Sequence, residues 1–259
     1  MAADDKPRTD GDDPGAEEAT PPPIPAGSLA AARAGALFEV LACSDYPTQF
    51  VVGQALIVAG LRPVGADGHY SPAFVFALSL IDAVLLVALA CAFLAAHGER
   101  PRDVLFGRRP VLREALVGLL LVPAVFLLAV LVLVAVHVLA PSLHNVSKNP
   151  LETLLSSPAR AVLFGLVVVG GGGVREEVQR AFILHRFEQH LGGARLGLVL
   201  SSLAFGAGHL IQGWDAGVAT AALGAFWGFL YLARRSIAAP GVSHAGFDLA
   251  QIIRYTLYG

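Results

Sequence analysis

The chain has 259 residues, 55% of them hydrophobic and 15% charged, with a formal net charge of −2. A water-soluble domain carries roughly a quarter charged residues, so this apolar excess must face something other than water. No basic patch is rich enough to point to nucleic acid, and none is expected as a partner. The two cysteines, Cys43 and Cys91, lie in apolar stretches and read as small hydrophobes, not as a disulfide framework or metal site.

Residues 1–27 read as a disordered tail rich in proline and acidic side chains (Asp4, Asp5, Asp10, Asp12, Asp13, Glu17, Glu18). Such a composition buries no core, and it lacks the basic region and apolar run of a signal peptide. Residues 28–259 are expected to form one transmembrane domain. Ser28 to Pro47 mixes apolar residues with Arg33, Glu39 and Asp45, as an interfacial amphipathic helix does. Gln49 to Leu61 is a weak first span, and Ser71 to His97 a clear one, interrupted by Asp82. A loop with Arg100, Arg102, Arg108, Arg109 and Arg113 follows.

From Ala115 to Leu143 there is no Asp, Glu, Lys or Arg. A bilayer span needs about 20 such residues, so a transmembrane helix is expected here. His137 within it reads as a lone, structural imidazole. After a polar stretch from His144 to Pro158, an apolar run enters Gly170–Gly173 and then the polar helix Arg175–His190. Gly192 and Gly193 mark a turn, and three further spans are expected over Leu196–Gln212, Val218–Leu232 and Ala238–Tyr255. The fold class is therefore an all-α, polytopic bundle of about seven spans, with a polar site buried among the last four.

Short cytoplasmic loops carry the excess arginine. Seven spans place the loop from Arg100 to Arg113, the pair Arg234 and Arg235, and the amino terminus on one side. The expected location is the cell membrane, multi-pass, with that side cytoplasmic. Trp214, Trp227, Tyr255 and Tyr258 fall near expected span ends, as interfacial aromatics do.

Ionisable groups within hydrocarbon are costly, which makes each a functional candidate. Three clusters stand out. Arg175-Glu176-Glu177-Val178-Gln179-Arg180 sets four charges and an amide between apolar runs. Phe205-Gly206-Ala207-Gly208-His209 places an imidazole after the Gly192 turn. If that turn closes an antiparallel hairpin, Glu176, Glu177 and His209 all lie on the order of 25 Å along it, at similar depth. His244-Ala245-Gly246-Phe247-Asp248 puts His244 and Asp248 on one helix face. Asp82 is expected to pair with a group on a neighbouring helix.

These clusters, in this order, resemble the CPBP family of CAAX prenyl protease 2-like and bacteriocin-processing intramembrane endopeptidases. The family pattern is a double glutamate followed by an arginine, then Phe-x-x-x-His, then His-x-x-x-Asn. The resemblance runs from about Gly170 to Gln251, within a motif-bearing core of residues 158–256. Phe205 to His209 matches the second motif. In the first, only Val178 and Gln179 stand between Glu177 and Arg180 where the family has three residues. Anchoring on Arg180 would instead put Arg175 at the first glutamate position, and a π-bulge is one way to absorb the slip. In the third, Asp248 stands where the family often has Asn, which as an amide can donate to an oxyanion. Asp248 would have to donate as the neutral acid, or else orient His244.

The resemblance implies peptide hydrolysis without a covalent intermediate. Glu176 or Glu177, with His209, would activate a water. His244, helped by Asp248, would stabilise the oxyanion, with Arg180 and Phe205 in support. No cofactor is expected. The alternative is a metal-dependent version with a divalent ion such as zinc on Glu176, His209, His244 and Asp248. A catalytically inactive scaffold or immunity-type protein of the same fold is a further alternative. The expected partners are the lipid bilayer and a peptide or protein substrate at the membrane. Lysine occurs only at Lys6 and Lys148 amid heavy Ala, Leu, Gly and Arg use, which suggests a bacterial source with a leader or membrane-associated peptide as substrate.

Overall fold

The computed structural model describes residues 26–258. Most of the tail expected over residues 1–27 therefore lies outside the described residues, and its last two residues open the first helix. In chain order the helices are α1 (Ala26–Ala42), α2 (Tyr46–Val58), α3 (Pro72–Ala96), α4 (Pro101–Leu105) and α5 (Val111–Leu139). Two short 3₁₀ turns follow, Pro141–Leu143 and Pro150–Leu155. Then come α6 (Pro158–Val168), a π-helical segment (Val169–Glu176), α7 (Glu177–His190) and α8 (Ala194–Gly208). A third 3₁₀ turn, Leu210–Gln212, leads to α9 (Trp214–Arg234) and α10 (Ala238–Tyr258). Apart from an isolated bridge between Val64 and Tyr70, the regular structure described is helical.

Local chemistry explains several boundaries. Ser71 accepts from the Phe74 amide ahead of Pro72, and Ser157 accepts from the Arg160 amide ahead of Pro158. Each pairs a hydroxyl cap with a proline whose missing N–H would be unpaired in any case. Gly192 and Gly193 both adopt φ of 97°, a conformation costly for any residue with a Cβ, and they fold α7 back against α8.

Among the described residues, three helices, α3, α5 and α9, are long and apolar enough to cross a membrane. Along α5, Leu119, Leu120, Leu127, Leu131 and Val138 are exposed. A row of large apolar side chains over 29 residues has no favourable place in water, and lipid is its natural solvent. The all-α membrane bundle is thus present. The weak first span, α2, has 13 residues and reaches only ~20 Å, short of a ~30 Å hydrocarbon core.

Among the described residues three apolar clusters hold the bundle, the smallest, Val52, Leu56 and Phe74, joining α2 to α3. Cys43, Leu94, Leu105, Phe182, Leu184 and Tyr231 tie α3, α4 and the turn after α1 to α7 and α9. Val125, Ala129, Leu223, Trp227 and Phe247 join α5, α9 and α10. The arginine-rich loop and the α9–α10 turn meet at one end. There Arg234 pairs with Glu114, Tyr231 donates to the Val104 carbonyl at 2.9 Å, and Arg235 pairs with Glu188 at 2.5 Å. Arg186 joins this end by binding Glu39 at 2.6 Å and Glu99 at 2.5 Å.

Candidate active site

The π-helical segment carries the first polar cluster into the bundle. Wide i→i+5 turns crowd side chains less at the backbone, and here four consecutive glycines, Gly170–Gly173, line it. The space is used. A methyl group at Gly172 would lie 2.7 Å from Asp248 Oδ2 and 3.3 Å from His244 Nε2, so α10 approaches this segment closely because it has no side chains. The segment ends at Glu176, and Glu177 opens α7.

Consecutive positions on a helix point roughly 100° apart, and the two glutamates accordingly enter different surroundings. Glu177 is buried. Its Oε1 accepts from Arg180 Nη1, one turn on, and lies 2.9 Å from His244 Nδ1. Its Oε2 is buried and has no hydrogen-bond partner among the described residues. Glu176 retains 13% of its side-chain exposure, against 1% for Glu177. Its Oε1 accepts from Arg175 Nη2 at 2.8 Å, and its Oε2 faces His244 Nε2 at 3.7 Å. Asp248 Oδ2 lies 3.7 Å from the same nitrogen. Both separations exceed a direct hydrogen bond, so Nε2 is left open to a third partner.

Aromatic rings fix these groups in place. Trp227 stacks on His244 with centroids 3.7 Å apart and planes 19° from parallel. Its indole N–H donates to Ser243 Oγ at 3.1 Å, which locks the stack from behind. Phe205 sits between the clusters. The Arg180 guanidinium lies 4.8 Å above its ring, and the rings of His209 and His244 lie 4.8 Å and 6.0 Å from it. A cation over an aromatic face is attracted by the ring quadrupole, so Arg180 is held by Phe205 as well as by Glu177. His209, at the C-terminal end of α8, has Nδ1 2.8 Å from the Phe205 carbonyl. A carbonyl only accepts, so Nδ1 is the donor and Nε2 keeps its lone pair for a ligand.

All seven residues singled out from the sequence, Glu176, Glu177, Arg180, Phe205, His209, His244 and Asp248, thus come to one site. Arg180 pairs with Glu177, and the short spacing between them lies in the first turn of α7, just after the π-helical segment ends at Glu176. Arg175 has a separate role. It bonds Asp45 at 2.7 Å, Asp82 at 2.8 Å and Glu176, and so ties the π-helical segment to α3 and to the start of α2. Asp82 finds its partner on a neighbouring helix there.

Two expectations are corrected. Trp227 is not an interfacial aromatic, since it is 1% exposed and packed on His244. His137 is not a lone imidazole, because His144 and Asp215 lie beside it. Asp45 and Trp227 were missed as neighbours of the site. Neither offers a signal in the sequence, since both reach it only through helix packing.

Residues 158–250 match the family described as Type II CAAX prenyl endopeptidase Rce1-like. This part of the chain is a CPBP-family domain. The match begins at the proline that opens α6 and ends two residues beyond Asp248, so it encloses all three polar clusters. At family level it sets the CPBP domain among CAAX-protease-like intramembrane proteases. Neither the curated proteins nor the solved structures contain a match to this chain.

Proposed function

We propose that this CPBP protein is an intramembrane endopeptidase in which Glu176 is the base that activates water. The observation that carries this reading is the contrast between the two glutamates around His244. Glu177 is buried and bonded to both Arg180 and His244, whereas Glu176 keeps a free oxygen facing an open imidazole nitrogen.

A water held between Glu176 Oε2 and His209 Nε2 loses a proton to the carboxylate as it attacks the scissile carbonyl. No covalent intermediate forms. His244 donates from Nε2 to the oxyanion, since Nδ1 is committed to Glu177. Glu177 and Arg180 are positioning residues that keep this imidazole oriented. Asp248 lies 3.7 Å from Nε2, on the open side of the ring. The unpartnered Glu177 Oε2 is an acceptor for a substrate N–H or for water. The proton on Glu176 then passes to the leaving amine.

The substrate is a peptide reaching the site from the bilayer, a leader or other membrane-associated segment. The domain is multi-pass in the cell membrane of a bacterium, with the arginine-rich end cytoplasmic. A metal-dependent version would gather an ion among Glu176, His209, His244 and Asp248.

The test is cleavage of a quenched membrane-peptide library by purified protein in detergent, with and without a chelator. Glu176→Gln and His209→Ala should each lower the rate by roughly 10²–10⁴-fold, the usual weight of general-base catalysis. Cleavage by the unmodified protein should survive chelation. Loss on chelation would move the reading to the metal version. Binding of library peptides without cleavage, by folded protein, would leave an inactive scaffold.

A further inference from the structure

A second group of polar side chains meets at the end of the bundle opposite the arginines. His137 lies in the last turn of α5, His144 follows the first 3₁₀ turn, and Asp215 is in the first turn of α9. His144 Nδ1 is 2.7 Å from Asp215 Oδ2, and His137 Nε2 is 3.9 Å from the same oxygen. The two rings stand 4.9 Å apart, and one donor atom from each of the three residues lies within 4.8 Å of the others.

We propose that His137, His144 and Asp215 form a binding site for a divalent transition metal of the zinc class, separate from the glutamate site. Two imidazoles and a carboxylate are a borderline donor set suited to zinc and its neighbours. Ligands held about 2.0–2.1 Å from a tetrahedral zinc ion stand roughly 3.3 Å apart. The observed 2.7 and 3.9 Å lie on either side of that value, so small side-chain rotations bring both nitrogens to an ion shared with Asp215.

The supporting bonds are those of a metal site. His137 Nδ1 donates to the Leu133 carbonyl at 2.9 Å, which fixes the tautomer and turns the Nε2 lone pair toward the cluster. A lone pair and a carboxylate oxygen facing each other repel unless a proton or cation lies between them. Asp215 is 8% exposed at its side chain, and its Oδ1 accepts from the Ala216 amide at 2.9 Å, so Oδ2, now bonded to the His144 ring, is the oxygen an ion would take over. The imidazoles are about half exposed, which gives an ion and its remaining water ligand free access.

Occupation would tie the polar stretch after α5 to the turn that follows His209. That stretch is already fastened there, since Asn145 accepts from the Trp214 amide at 2.9 Å and Asn149 donates to Gln212 at 3.0 Å. The metal is therefore a clamp at the edge of the proposed catalytic site rather than a reagent in it, and zinc should raise the thermal unfolding temperature.

The experiment uses full-length protein in detergent, purified without a polyhistidine tag and stripped of metal. Zinc is titrated calorimetrically, and cobalt(II) absorption reports the coordination. The unmodified protein should bind one zinc, and so should the Glu176→Gln/His209→Ala double variant. The His137→Gln/His144→Gln variant changes exposed side chains and should stay folded by circular dichroism. Its affinity should fall at least ~10–100-fold, since even an outer partner of a ligand carries that much, and zinc should no longer raise its unfolding temperature. Failure of the unmodified protein to bind zinc, or equal binding by the His137/His144 variant, would overturn the proposal. Loss of binding in the Glu176/His209 variant with retention in the His137/His144 variant would place the metal in the glutamate site and overturn it as well. Peptide cleavage is not read in any arm, so the outcome is independent of whether the protease reading holds.

Discussion

Glu176 and Glu177 are chemically identical neighbours whose surroundings assign them different work. Removing one member of a buried ion pair leaves the other charge uncompensated, at a cost of up to about 3–5 kcal/mol. Glu177→Gln takes the charge from the partner of Arg180 and His244 and should therefore lower stability as well as activity. Glu176→Gln leaves Arg175 its bonds to Asp45 and Asp82, so it should lower activity with a much smaller loss of stability. Thermal unfolding in detergent, run beside the cleavage assay, separates the two. A larger stability loss for Glu176→Gln would reverse the assignment of base and positioning residue.

At the scale of the element, the π-helical segment matters because it permits an approach that an ordinary helix surface would block. A Cβ at Gly172 would collide with Asp248 and crowd His244, and Gly173 meets the Gly241 carbonyl of α10 3.2 Å from where its own Cβ would be. Gly172→Ala would push the Asp248 carboxylate away and shift His244 with it. A displacement of about 1 Å at reacting groups can cost up to ~10²-fold in rate. The expected result is a folded protein with a depressed turnover rate and little change in peptide binding. Unchanged turnover in Gly172→Ala would show that α10 does not need this contact.

Across the whole molecule, two ends of different chemistry flank the bundle. The arginine-rich end is held by charge. Glu99, in the turn between α3 and α4, is pushed up by partial burial, but bonds from His185, Arg186 and Gln189 outweigh this and hold it at about 2. A carboxyl whose folded value is depressed contributes stability at pH above its ordinary value of 4.5. That contribution is lost as pH falls from about 4.5 toward 2. Glu99→Gln should therefore unfold at a lower temperature than the unmodified protein at pH 6, and the gap should narrow as pH falls toward 3. A gap that is constant with pH would mean that Glu99 acts through packing alone.

The sequence by itself determined that the chain is a helical membrane protein and where its chemistry lies. An unbroken apolar run such as Ala115–Leu143 has few other fates, and ionisable residues on late apolar segments are conspicuous against that background. The order of the three clusters carried the family. Spacing along one helix, as for His244 and Asp248, is legible because helix geometry is local. The tertiary structure decided which glutamate is locked and which is open, because that depends on His244 arriving from α10 and on Asp45 and Asp82 drawing Arg175 to one side. It also turned Trp227 inward onto His244 and brought His137, 78 residues before Asp215 in the chain, beside that carboxylate. Contacts of that kind are set by how helices pack, and packing depends on the shapes of many side chains together, whereas apolar length and helical spacing can be read from the chain alone.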